Sequence, residues 1–304
     1  MRTRFLLLWL LTATLSFTSF SQTIQKQQSM KNSNTKIVLF ITGAYVSSTC
    51  WDQWISYFES KGYTCIAPAW PYKNAPASVL RNHQPNADIA SIRLTQLVDY
   101  YADIINKMPE KPIVIGHSMG GLITQLLMQR NLVACGAAIH SVPTKGVNTF
   151  KWSALKAGWR GLGYFTSTRK AYLMSFKTWQ YAFTNGMSLQ DQQAAYDKYV
   201  VPESKLVCRD WMTKVAKVDY NKPHAPLLFI SGSTDNIVPA SFNYDNYKKY
   251  KDRNSITDYK EFPGRNHFVL GQPTWKEDAD YILDWVGKHT NSYVTEKGVL
   301  EIIE

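Results

Sequence analysis

Acidic residues are scarce in this chain of 304: 23 Asp and Glu stand against 34 Lys and Arg, for a formal charge of +11. That sign raises nucleic acid or an anionic surface as partners. However, Arg2 and Arg4 sit in an N-terminal segment of their own and the other basic residues are scattered, so solvated surface charge is the simpler reading and no nucleic acid is expected. Cysteine is scarcer still. Cys50, Cys65, Cys135 and Cys208 show no CxxC or Cys/His spacing, which argues against a zinc site or a redox motif, and no metal is expected. Cys50 and Cys65 fall near one β-helix-β unit and could bridge in an oxidising compartment; buried thiols are an equal alternative. The chain also lacks internal repeats and any Gly/Ser/Pro-rich linker through its middle. With 45% hydrophobic residues it has the material for one large core.

The apolar run Phe5 to Leu15 follows Arg2 and Arg4 and precedes the small residues Ser19 and Ser21. It is short for a membrane span of roughly 20 residues and has the pattern of a signal peptide over residues 1–21, so a periplasmic or secreted protein is expected. Residues 22–34 read as a flexible polar leader, 35–289 as the one large folded domain and 290–304 as a tail.

Short β-branched apolar runs at 36–43, 63–69, 112–117 and 226–232 have the length and flanks of buried parallel strands, and 135–142 and 257–264 read as two more. Helical patterns lie between them: Trp51 to Lys61, Asp88 to Lys107 with Asp88 as its cap, and Gly121 to Arg130. This alternation predicts a mainly parallel doubly wound sheet, with active residues at the carboxyl ends of its strands. The interval of about 144–222 breaks the alternation with aromatic, helix-compatible segments and reads as an inserted helical cap over that edge.

The most informative run is PIVIGHSMGG, where Gly116-His117-Ser118-Met119-Gly120 gives G-x-S-x-G between a predicted strand and a predicted helix. Small neighbours at Gly116 and Gly120 let a sharp turn project the Ser118 oxygen. A serine hydroxyl needs a base, and the base needs an acid to fix its tautomer, in the chain order serine, acid, histidine. Asp235, just after a strand in FISGSTDNIVP, suits the acid, and His267 in FPGRNHFVLGQP suits the base. The other histidines fit less well: His117 adjoins the nucleophile and reads as pointing elsewhere, His140 ends a strand, His83 and His224 precede the acid, and His289 lies near the tail. For the oxyanion, Met119 offers one backbone N–H by position and Ala44, after Thr42-Gly43, a second.

With its strand-Gly loop, GHSMGG elbow, late Asp and later His, the chain resembles the α/β-hydrolase superfamily from about Lys36 to His289. It looks closest to bacterial serine esterases and lysophospholipase-like hydrolases with a cap between core strands. Thr42 stands where that family often has His. The resemblance implies an α/β-hydrolase fold with no cofactor and acyl transfer to water through Ser118, Asp235 and His267 on a small-molecule or lipid-like ester. A thioesterase, acyltransferase or perhydrolase would carry the same triad, and a non-catalytic ligand-binding protein of the same fold is the alternative from another class. Tyr45, Trp70, Trp152 and Phe268 are candidate pocket residues. Basic residues between Lys145 and Lys222 mix with Trp152, Trp159, Tyr164 and Phe165, a combination suited to transient contact with a membrane surface.

Overall fold

The computed structural model describes residues 35–291; the expected signal peptide, the leader and residues 292–304 lie outside them. Six strands form one sheet: β1 (Ile37–Ile41), β2 (Thr64–Ile66), β3 (Ile113–His117), β4 (Cys135–Ile139), β5 (Leu227–Gly232) and β6 (Thr257–Phe262), in the order β2-β1-β3-β4-β5-β6. Every neighbouring pair is parallel. The central strands β3, β4 and β5 are buried at every residue, which is why IVIGH, CGAAI and LLFISG read as unbroken small or apolar runs. β6 is the edge, and its TDYKEF carries charges accordingly.

The strands stop one to three residues short of most of the expected ends, because the chain turns there into loops that carry polar groups. After β1, α1 (Asp52–Glu59) leads to β2. The expected single helix of 88–107 is two, preceded by α2 (Ala77–Asn82): α3 (Ala87–Ser91) and α4 (Leu94–Asn106), with Ile92 extended between them. Asn86, not Asp88, caps α3, its Oδ1 accepting the Ile89 N–H at 2.9 Å. The break is held from far away: the Asp210 carboxylate accepts the Leu94 N–H at 3.1 Å and two Arg93 guanidinium N–H groups at 2.9 and 2.7 Å.

Helix α5 (Met119–Gln129) follows β3 and packs on β1, β3 and β4. Its Gly120 has no room for a side chain, since a Cβ there would stand 2.1 Å from the Ile41 carbonyl oxygen; Gly116 is equally closed, 2.1 Å from the Gly120 oxygen. Between β4 and β5 the chain forms α6 (Trp152–Leu162), α7 (Phe176–Ala182), α8 (Leu189–Tyr199) and α9 (Lys205–Asp210). These helices are tied to the loop after β1: Ser47 N–H donates to the Tyr199 carbonyl at 2.9 Å, and Val201 N–H to that of Tyr45 at 2.8 Å. Helix α10 (Ala240–Tyr247) precedes β6, and α11 (Trp275–Asn291) follows it. No described helix is long and apolar enough to cross a membrane.

All four cysteines are free thiols, so the bridge between Cys50 and Cys65 does not form. Cys50 lies instead 3.2 Å from the Thr42 hydroxyl, beside the loop after β1. Burial pushes the Cys50, Cys65 and Cys208 thiols up to about 12, which keeps them protonated and unreactive.

Candidate active site

Ser118 occupies the turn between β3 and α5 at φ 56°, a left-handed conformation that a β-carbon makes costly and the packed glycines around it enforce. Its N–H donates to the Ile139 carbonyl at 2.9 Å, and its side chain stands at the positive end of α5. The Ser118 Oγ lies 3.0 Å from His267 Nε2, and His267 Nδ1 lies 2.6 Å from Asp235 Oδ2. The Nδ1–H therefore donates to the carboxylate, and Nε2 presents its lone pair to the serine hydroxyl. Asp235 Oδ1 is fixed by the backbone N–H groups of Ile237 at 2.9 Å and Val238 at 2.8 Å. The structure thus brings Ser118, Asp235 and His267, which lie 149 residues apart at the extremes, into one buried hydrogen-bonded chain.

Two histidines set aside in the sequence join it. His140, at φ 45° just past β4, places Nδ1 at 2.8 Å from the same Asp235 Oδ2, so that one carboxylate oxygen accepts from two imidazoles. His140 is fully buried and its Nε2 has no partner among the described residues. The Nδ1–H tautomer fits these contacts, since Nδ1 faces the carboxylate and Nε2 faces no acceptor. His117 does not point away: its Nε2 donates to the His267 backbone carbonyl at 2.8 Å and so holds the loop that carries His267. Burial, with His267 and His140 close by, keeps the His117 imidazole neutral far below its ordinary range. Burial also raises the Asp235 carboxyl, but the facing imidazoles of His267 and His140 outweigh it and hold that group well below the usual carboxylate range.

His140, Asp235 and His267 also form the one cluster among the described residues with three ligand-type atoms mutually within 4.8 Å. Both Nδ1 atoms are spent as donors to the carboxylate, which describes a hydrogen-bonded relay better than a chelating set.

The loop after β1 faces the serine. A Cβ on Gly43 would stand 2.8 Å from the Ser118 Cβ, so only glycine allows this approach. The Ala44 N–H has no acceptor among the described residues, and the Met119 N–H opens α5, where backbone donors are free. Tyr45, at φ 72°, is anchored from the cap side: its N–H donates to Glu203 Oε2 at 3.0 Å. Glu203 is completely buried and paired to the buried Lys73 ammonium at 2.5 Å, while its Oε1 accepts the Ser204 N–H at 2.8 Å. No local pattern in the sequence marks this pair, whose members are 130 residues apart.

Ser118, Met119 and Ala44 open into a cavity of about 230 Å³ whose walls are almost wholly apolar, including Val142, Leu155, Trp159, Leu162, Phe183 and Phe242. Tyr45 lines it. The other three candidate pocket residues do not: Trp70 is buried beneath Lys73, whose ammonium lies 4.5 Å from its ring; Phe268 is buried against Trp179 and Tyr199; Trp152 points to solvent. Packing in the core claimed Trp70 and Phe268, Trp152 stays on the surface, and the lining comes instead from α6 and the strand-end loops.

Several solved structures share this fold at low sequence identity. An extracellular α/β-hydrolase from a Paenibacillus species superposes with a TM-score of 0.61 at 18% identity, covering 82% of this chain and 98% of that one. A monoacylglycerol lipase from Paleococcus ferrophilus gives 0.59 at 17% identity over 83% and 94%, and the methylesterase MES16 from Arabidopsis 0.57 at 15% over 83% and 98%. No curated protein matches the chain in sequence. Residues 38–277 match the family described as "Alpha/beta hydrolase family", and with that span covering the whole sheet, the elbow and the relay, the chain belongs to the α/β-hydrolase family.

Proposed function

We propose that this protein is a carboxylic-ester hydrolase that works through an acyl-enzyme on Ser118. The observation that carries the reading is the unbroken relay from Ser118 through His267 to Asp235 at the end of an apolar cavity. His267 Nε2 takes the hydroxyl proton as Ser118 attacks the ester carbonyl. The N–H groups of Ala44 and Met119 receive the oxyanion, and the imidazolium returns its proton to the departing alcohol. Water, deprotonated by the same imidazole, then cleaves the acyl-enzyme. Asp235, ionised in spite of its burial, holds the ring and offsets its transient charge. The cavity suits a medium-length apolar acyl group, and the N-terminal pattern suits an exported enzyme; intact-mass measurement of the protein recovered outside the cytoplasm tests the latter by loss of residues 1–21.

Hydrolysis of a series of p-nitrophenyl esters tests the reading. kcat/KM is expected to rise about fourfold for each added methylene, the equivalent of ~0.8 kcal/mol per buried CH₂, until the cavity is full. A fluorophosphonate should label Ser118. A folded protein with neither turnover nor label would instead favour a non-catalytic binder of apolar ligands.

His140 gives the site a further handle. It supplies one of the two imidazole donors that hold the Asp235 carboxyl low and fix its Oδ2. His140→Leu should therefore lower kcat by about tenfold with KM little changed, while His140→Asn, which keeps an N–H toward Asp235, loses less. Equal kcat in wild type and both variants would reduce His140 to packing.

A further inference from the structure

The cavity above Ser118 opens onto a surface that is unusual in two respects. Its rim residues Phe150, Leu155 and Trp159 are exposed although they line the cavity, with Phe150 83% exposed. Tyr164 and Phe165, the latter 88% exposed, each lie 6.1 Å from the Trp159 ring, and Trp152, 75% exposed, sits two turns before Trp159 on the same face of α6. A soluble protein gains nothing by leaving such rings in water, and contiguous apolar surface of this kind marks a contact face.

The charge along this segment has a single sign. From Lys145 to Gln190 the sequence holds seven Lys and Arg and not one Asp or Glu, in a chain whose overall ratio is 34 to 23. Within that stretch Arg160, Arg169 and Lys170 are exposed within five residues of Trp159 or Phe165 in the chain, while Lys151 shares a shallow depression with the exposed Glu261. Aromatic rings that can enter the headgroup region, interleaved with ammonium and guanidinium groups, complement an anionic lipid surface in both polarity and charge.

We propose that this face of the cap, at the mouth of the Ser118 cavity, docks on anionic lipid bilayers. Phe150, Trp152, Trp159 and Phe165 enter the interface, the basic groups pair with lipid phosphates, and the cavity then opens directly onto the bilayer. The ester reading enters only through this last point; docking itself stands without it.

Co-sedimentation with phosphatidylcholine vesicles, with and without about a third phosphatidylglycerol, tests the proposal. Two variants avoid the cavity lining: Trp152→Ser with Phe165→Ser, and Arg160→Glu with Arg169→Glu and Lys170→Glu. All proteins share one N-terminus, so any contribution from that segment cancels in the comparison. Wild type should bind the anionic vesicles at least about tenfold more tightly than the neutral ones, and the charge variant should lose on the order of 100-fold on the anionic vesicles. The aromatic variant should weaken binding to both. Hydrolysis of a soluble short-chain ester should stay within about twofold of wild type in both variants, whereas hydrolysis of the same ester group carried in vesicles should fall with binding. Equal binding to neutral and anionic vesicles, or none to either, would overturn the proposal. So would sedimentation equilibrium showing a dimer that these variants dissociate, which would assign the face to a second copy. Vesicle binding without any ester turnover would leave docking standing and remove the hydrolase reading.

Discussion

Ser118→Ala should lower ester turnover by about 10⁴-fold or more and abolish fluorophosphonate labelling, while the melting temperature stays within a few degrees of wild type. The separation of the two effects follows from the turn. Its positive φ is enforced by Gly43, Gly116 and Gly120 packed against backbone, and alanine meets that conformation with the same β-carbon as serine. Only the hydroxyl is lost, together with its bond to His267, worth about 1 kcal/mol net. Turnover of more than about one part in a hundred in the variant would remove Ser118 as the nucleophile.

Lys73→Met should cost stability rather than chemistry first. It leaves the Glu203 carboxylate buried without its counter-charge, a loss of about 3–5 kcal/mol, or roughly 10 °C in melting temperature. The double variant Lys73→Met/Glu203→Gln should recover part of this, because no lone charge remains and the amide oxygen still accepts the Tyr45 N–H, at the cost of the acceptor for the Ser204 N–H. The single variant should also lose kcat, since Tyr45 directly follows the proposed oxyanion donor Ala44. A melting temperature unchanged in Lys73→Met would show that the pair adds nothing to the fold.

The inner strands β1, β3, β4 and β5 were legible because they are short apolar runs, each ended by a turn, and burial on both faces leaves no other pattern for them. The elbow was legible because Gly116, Ser118 and Gly120 stand together in one strand-turn-helix unit, although the contact that demands Gly120 comes from Ile41 on β1. The break at Ile92 and Arg93 was not, since Asp210, far along the chain, makes it. His140 carried a usable signal: it follows β4, next to the strand that leads to Ser118, at the carboxyl ends of the strands where functional groups collect. The expectation of a single base hid it. The pocket aromatics misled because a Trp or Phe in an amphipathic segment reads the same whether it faces a cavity, the core or water.

The Glu203 clamp has a bearing on protein engineering. The segment that covers the cavity and the backbone that would stabilise the reacting oxygen share one buried carboxylate, so they cannot be exchanged as separate modules. A graft that replaces residues 144–222 must supply its own acceptor for the Tyr45 N–H and its own partner for Lys73, or the loop after β1 loses the contacts that place it against Ser118.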